Sequence, residues 1–302
     1  MLTPLNIPPE QNTKLIDRYF QCGASTKKIG EGFYGSVYLA TLPKEPCRAV
    51  IKWYKLSDNN QREASQLNLL RKHSFIKVPE VFAIHQVDGE IPVPALVMEF
   101  IEGVNASLLP TDHPNAEKFA DQMVTNLVHL HQVRGECFGA GYSDWYSCLR
   151  EKIGVLHTRL HSQYEAVMAP EALRVADQSY QKMDLIFSEP VPYPSLIHSD
   201  YNLWNLLADP KTAKITAVID PLDAGWADSE LDLFHLQNAG GDRFGLLDRY
   251  REYRPLSSLF PLKNRFYWFW DDIKHMVNLG WYEQDRFLDF AGQLKDMMER
   301  YL

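Results

Sequence analysis

The segment His198-Ser199-Asp200-Tyr201-Asn202-Leu203-Trp204-Asn205, followed by Ile219-Asp220-Pro221, holds the side chains best suited to chemistry. It sets an Asp, an Asn five residues on, and a second Asp at the end of an apolar run. These types suit phosphoryl transfer to a hydroxyl. A carboxylate such as Asp200 can accept or orient the hydroxyl proton. Asn205 and Asp220 offer the hard oxygen donors that magnesium prefers. His198 is expected to support the loop rather than act as a base. His, Asp and Asn are also common loop formers. The apolar, strand-like stretches between the acids make their joint spacing informative.

Phosphoryl transfer also needs a nucleotide cradle, and the N-terminal part supplies candidates. Gly30-x-Gly32-x-x-Gly35 would open a helix in a dinucleotide fold. Here Ser36-Val-Tyr-Leu-Ala40 continues instead as a strand, which predicts a glycine-rich hairpin. Backbone amides of such a hairpin can approach phosphates without Cβ clashes, so Gly30, Gly32, Gly35 and Ser36 are candidate phosphate-facing residues. Lys52 lies within the apolar run Ala49-Val-Ile-Lys, where an unpaired ammonium would be costly. In the pattern Val-Ala-Ile-Lys such a Lys contacts phosphates and pairs with a helix Glu, for which Glu63 is the candidate. Leu96 to Gly103 reads as a strand entering a linker and resembles a kinase hinge, a resemblance that implies adenine bound to backbone groups near Glu99 and Ile101.

The elements that must position these residues follow from periodicity. Residues 27–54 predict three strands, and Ser57-Asp-Asn-Asn60 supplies N-cap candidates for a helix through Arg71. Residues 81–85 and 95–101 predict two more strands. After Gly103, Phe119, Met123, Leu127 and Leu130 recur at helical spacing, and 143–163 and 169–188 predict further helices. Short strands are expected at 196–198, 206–207 and 215–219, and helices from Glu230 onward. The expected organisation is a nucleotide-binding lobe over 1–102 and a helical lobe over 103–302 with the catalytic loop and acceptor site.

The chain of 302 residues has 31 basic and 39 acidic residues and no Lys/Arg run, which argues against nucleic acid. The mild acidity is consistent with a cationic substrate. No window approaches a membrane span, and Met1 to Pro9 has neither the charged nor the apolar region of a signal peptide, so a cytoplasmic protein is expected. Cys22, Cys47, Cys137 and Cys148 form no CxxC pair and are expected to be free thiols. His157 and His161 have metal-ligand spacing but no evident third ligand, which reads as a solvated helix face. Arg265-Phe-Tyr-Trp-Phe-Trp270 reads mainly as core, with Asp271 and Asp272 beside it as acceptor-pocket candidates.

Taken together, the motifs resemble those of the aminoglycoside phosphotransferase and fructosamine kinase superfamily, which has a protein-kinase-like fold. Residues 198–205 resemble its His-Gly-Asp-x-x-x-x-Asn, and Ile219 to Leu233 resembles its Ile-Asp-x-x-x-Ala-Gly-x-x-Asp-x-x-x-Asp-Leu. The resemblance implies an α+β, two-lobed fold with a small antiparallel sheet plus one helix and a large, mostly helical lobe. It implies Asp200 as base, Asn205 and Asp220 as metal ligands, and Asp228 and Asp232 as structural acids. ATP and Mg2+ are the implied cofactors, and a small-molecule hydroxyl, on a sugar, amino sugar, fructosamine or amino alcohol, is the implied acceptor. A protein serine/threonine kinase and a non-catalytic nucleotide-binding protein are the alternatives. Asp220-Pro-Leu in place of Asp-Phe-Gly, the lack of Ala-Pro-Glu, and Asn202 where protein kinases place a Lys argue against the first of these. Ser199 replaces the usual Gly.

Overall fold

A computed structural model describes residues 5–302. The chain forms two compact units. Among the described residues, one takes 5–126 together with Leu203–Ala224, and the other takes Leu127–Asn202 with Gly225–Leu302.

In the first unit, helix α1 (Pro9–Phe20) precedes the strands β1 (Ser25–Glu31), β2 (Gly35–Thr41) and β3 (Arg48–Tyr54). Helix α2 (Asn59–Arg71) and strands β4 (Val81–His85) and β5 (Ala95–Glu99) complete a five-stranded sheet of order β1-β2-β3-β5-β4. Each neighbouring pair of strands in it is antiparallel. The last strand stops at Glu99, short of the Ile101 expected from its apolar run.

Side chains alternate faces along a strand. In β3, Ala49, Ile51 and Trp53 join a core completed by Leu15 and Ile16 of α1. Lys52 and Tyr54 therefore point to the opposite face. Helix α1 was not expected from the sequence, although Pro9 at its first turn after Pro8 is a start signal. Its buried Asn12 accepts a 2.8 Å hydrogen bond from Trp53 Nε1, which satisfies the indole inside the core.

The start of α2 differs from expectation. Asp58 occupies the cap position in a left-handed conformation and makes no side-chain capping bond. Asn60 is buried instead and donates to His85 O at 2.6 Å, so its amide ties the helix to the sheet. Leu67, Leu70 and Ala64 bury one face of α2, and Glu63 lies on it. A small second sheet pairs β6 (Val104–Asn105) with a hairpin that includes Leu206–Ala208 and Ile215–Val218. The Val218 N–H donates to Lys77 O at 2.9 Å.

The second unit contains the end of α3 (Ala116–Gln132), with α4 (Trp145–Tyr164), α5 (Pro170–Gln181) and α6 (Met183–Ile186). The helix expected over 169–188 is thus broken at Lys182. A two-stranded ribbon pairs β7 (Ser195–Ile197) antiparallel with Gly225–Ala227. The stretch after Asp228 is not a regular helix as expected. Ser229–Phe244 is 3-10 and interrupted at Asn238–Gly240, where Ala239 and Gly240 have φ of 55° and 80°. Helices α7 (Leu246–Tyr253), α8 (Phe260–Leu279) and α9 (Gln284–Tyr301) follow. The aromatic run lies on α8. Phe266, Tyr267, Phe269 and Trp270 are buried in one core. Asp271 pairs with Lys274 at 2.6 Å, and Asp272 takes two bonds from Arg286 at 2.7 and 3.0 Å, so both carboxylates are already neutralised.

Gly35 opens β2 where it runs against β3. A Cβ there would lie 1.7 Å from Trp53 O, against backbone that cannot swing away. This glycine is fixed by sheet packing. Gly35→Ala is expected to cost about 3 kcal/mol or more, read as a thermal-denaturation midpoint several degrees below wild type.

Candidate active site

Lys52 is the centre of the first unit's polar interior. Its Nζ donates to Glu63 Oε2 at 2.7 Å and to Asp220 Oδ1. Tyr54, on the same face of β3, donates to Glu63 Oε2 at 2.8 Å. Burial alone would push the Lys52 ammonium down, but Asp220 and Glu63 outweigh it and hold the pKa above its ordinary value. Lys52 is therefore a fixed cation. The Asp220 side chain is about half exposed, whereas those of Lys52 and Glu63 are nearly closed off. One carboxylate anchors the lysine and the other faces outward. Asp220 has φ of 57°, a conformation that Asp tolerates better than most residues. The Ile219 N–H donates to Asn205 O at 2.9 Å, which ties together the backbones carrying the two candidate magnesium ligands. Their side chains, a buried amide and a half-exposed carboxylate, offer hard oxygen donors of the kind magnesium prefers.

The hairpin supplies the rest of this half. The Gly32 N–H donates to Gly35 O at 2.9 Å and closes the turn, and a Cβ at Gly32 would meet nothing within 4 Å. Gly30 pairs with Val37 after an irregularity in the ladder. Ser36 departs from its expected role. It is fully buried, and its hydroxyl donates to Leu5 O at 2.8 Å, so the side chain braces the strand. Glu99 commits its N–H to Glu80 O at 2.8 Å and its carboxylate to Lys77. Its carbonyl and the Ile101 backbone are the groups to consider for a base.

In the second unit Asp200 sits on a loop held by Asp232. The Asp232 carboxylate accepts from the backbone N–H of His198 at 2.8 Å and of Ser199 at 2.5 Å. It also accepts from His131 Nε2 at 3.1 Å, and His131 Nδ1 accepts from Tyr250 Oη at 2.7 Å. Burial would raise the Asp232 pKa, but the hydrogen bonds it accepts, foremost the one from His131, hold it low. Burial pushes His131 down, so it is a neutral donor to an ionised acid. Asp232 thus has the structural role the resemblance implied. Asp228 accepts from Tyr267 Oη at 2.9 Å and pairs with Lys263 at 2.6 Å.

Asp200 Oδ1 accepts from Asn202 Nδ2 at 2.5 Å and lies 3.3 Å from His235 Nδ1. Burial drives His235 down to about 4, so a neutral ring backs the carboxylate. Sequence reading gave no role to His235, which lies 35 positions beyond Asp200 in an irregular segment. The Asn202 contact was legible only as an i, i+2 spacing common in turns.

Residues 25–255, well over half the chain, match the model of the phosphotransferase enzyme family, APH. The chain belongs to that family. Among curated proteins, it is 24% identical over 237 residues to the uncharacterized protein YcbJ of Escherichia coli K12, covering 76% of this chain and 78% of YcbJ. Its fold matches the GDP complex of aminoglycoside 2'-phosphotransferase-IIIa, with TM-score 0.67 and 18% identity over 98% of this chain and 100% of that one. It also matches a candidate fructosamine-3-kinase from Haemophilus somnus, with TM-score 0.68 and 18% identity over 97% of both chains. A thermostable mutant of aminoglycoside phosphotransferase APH(4)-Ia gives TM-score 0.69 and 17% identity, over 95% of this chain and 98% of that one. The α+β, kinase-like architecture expected from the sequence is the one found.

The family's glycine before the loop Asp has a physical counterpart here. Ser199 has φ of 65°, a left-handed conformation that costs a non-glycine residue roughly 1–2 kcal/mol. The bond from its N–H to Asp232 holds it there. Ser199→Gly is expected to leave the thermal midpoint unchanged or raise it, with the strain relief offset in part by unfolded-state entropy. Ser199→Val, β-branched at the same φ, should lower it by several degrees in the same calorimetric experiment.

Proposed function

We propose that this APH-family phosphotransferase moves the γ-phosphoryl group of ATP, with magnesium, to a hydroxyl of a small molecule. The observation that carries the reading is Lys52, a buried cation held between Glu63 and the half-exposed Asp220. Such a lysine presents a fixed positive charge to nucleotide phosphates. Asn205 and Asp220 would hold the metal, which supplies charge neutralisation on the phosphates when bound. The hairpin around Gly32 offers room for phosphates, with Gly30 and Gly35 shaping its strands. The Glu99 carbonyl and the Ile101 N–H would take the adenine edge.

Asp200 acts as the base or orienting group for the acceptor hydroxyl. Its Oδ1 is fixed by Asn202, and the neutral His235 beside it adds no charge that would weaken its basicity. Positioning a hydroxyl for in-line attack is most of what this reaction asks of the protein. Similar folds were solved with kanamycin, streptomycin and gentamicin, which are amine-bearing polyols. The net charge of -8 favours a cationic acceptor of that chemical kind, such as an amino sugar, fructosamine or amino alcohol. The four free cysteines agree with a cytoplasmic setting.

A pooled set of amino sugars, fructosamines and amino alcohols, assayed for ADP release from magnesium-ATP, tests the reading. Asp200→Asn should lower turnover by about 10²-fold or more, because a positioned base contributes on that order. Its ATP affinity by calorimetry should stay within about twofold of wild type, since the substituted group meets the acceptor. Wild-type turnover by the Asn variant would remove Asp200 from the mechanism.

A further inference from the structure

We infer that His157, His161 and Asp177 form a binding site for one divalent transition-metal ion of the zinc class, joining α4 to α5. None of the three belongs to the machinery assigned above. The sequence shows the two histidines one helical turn apart, and the fold supplies the missing third donor from the next helix. Asp177 Oδ1 lies 2.7 Å from His157 Nε2 and 2.7 Å from His161 Nε2. All three donor atoms fall within 4.8 Å of one another. Around a tetrahedral zinc with bonds of about 2.0–2.1 Å, donor atoms sit roughly 3.3 Å apart. The set therefore needs to open by only a fraction of an ångström to admit the ion.

The donors also select the metal. Two imidazoles and a carboxylate favour zinc, cobalt, nickel or copper over magnesium and calcium, which prefer all-oxygen shells. Three protein ligands leave a fourth position for water or an added ligand. The side chains are 23%, 32% and 33% exposed, so an ion can enter from solvent.

The cluster is pre-organised. The His157 ring stacks on Tyr180 at 4.4 Å with a 16° interplanar angle and sits beside the buried Trp270. All three donors are on regular helices, so little side-chain freedom remains to be lost on binding. Without metal, both rings can donate Nε2–H to the one carboxylate oxygen. With metal, each neutral ring turns an Nε2 lone pair to the ion and carries its hydrogen on Nδ1. For His161 a carboxylate lies near that hydrogen, Glu165 Oε1 being 3.9 Å from Nδ1, and a rotamer change of about 1 Å would bring it into hydrogen-bond reach. A carboxylate on the outer nitrogen of a ligating histidine is the usual supporting arrangement.

Untagged, EDTA-treated protein titrated with Zn2+ in a calorimeter tests the site, with Co2+ absorption reporting geometry. One equivalent of Zn2+ should bind, Co2+ should show the intense visible bands of a tetrahedral complex, and excess Zn2+ should raise the thermal midpoint. The double variant His157→Gln/His161→Gln should abolish these signals, Asp177→Asn should weaken binding at least tenfold, and Glu165→Gln should weaken it less. Replacing the four cysteines by serine should leave binding intact, and circular dichroism checks that each variant is folded. No Zn2+ binding by the wild type, or equal binding by the folded double variant, overturns the proposal.

Discussion

One ammonium group imposes the strongest constraint on the first unit. Lys52 lies on the inner face of a strand whose neighbours are apolar, and a lone cation there would cost several kcal/mol. Glu63 and Asp220 remove that cost and in doing so fix much else. Glu63 requires α2 to lie across the sheet in one register, with Asn60 pinning its start to β4 and β5. Asp220 requires the hairpin of Leu206–Ala208 and Ile215–Val218 to end beside β3, and to turn there with positive φ. Buried ion pairs add little net stability over apolar packing, yet breaking one is expensive. A charge kept at that cost, with one partner half open to solvent, is more readily explained by chemistry than by stability.

The loop of Asp200 is organised on a similar plan with the sign reversed. Here the buried charge is the Asp232 carboxylate, and its partners are two backbone N–H groups and a neutral imidazole. The arrangement spends one ionised acid to hold the backbone of His198 and Ser199, and so sets the path into Asp200. The Asp232 carboxylate, which can only accept, sets the His131 hydrogen on Nε2 and leaves Nδ1 to accept from Tyr250 Oη. Asp228 repeats the theme a turn away, joining Lys263, Tyr267 and the start of the 3-10 segment. Asp232 and Asp228, the acids that the family pattern marks as structural, anchor the loop that leads into Asp200 and the start of the 3-10 segment.

Local pattern carried a large part of this. The hairpin, β3 with its misplaced lysine, and α2 were legible because strand and helix periods are strong and Lys52 broke an apolar run. Helix α1 was not, since its polar sequence buries only Asn12, Leu15 and Ile16. Strands of two or three residues, such as Val104–Asn105 and Gly225–Ala227, exist only through their partners and leave no periodic trace. The irregular stretch Ser229–Phe244 read as a helix because its apolar residues have helical spacing, while the break at Asn238–Gly240 follows from backbone conformation. Ser36 looked phosphate-facing from its position after Gly35, and only the packed strand showed its hydroxyl turned to Leu5. Asp177 and His235 complete clusters whose other members lie many residues away, which no spacing rule could assign.

The proposed reaction is phosphoryl transfer from ATP to a small-molecule hydroxyl. The most direct measurement incubates the protein with a metabolite extract and ATP carrying heavy oxygen in its γ-phosphate, followed by mass spectrometry. One or a few amine-bearing polyhydroxy metabolites should gain the heavy phosphate, and none should gain it with Asp200→Asn. Heavy phosphate appearing on protein and on no metabolite, or ATP bound with no transfer to anything in the extract, would contradict it.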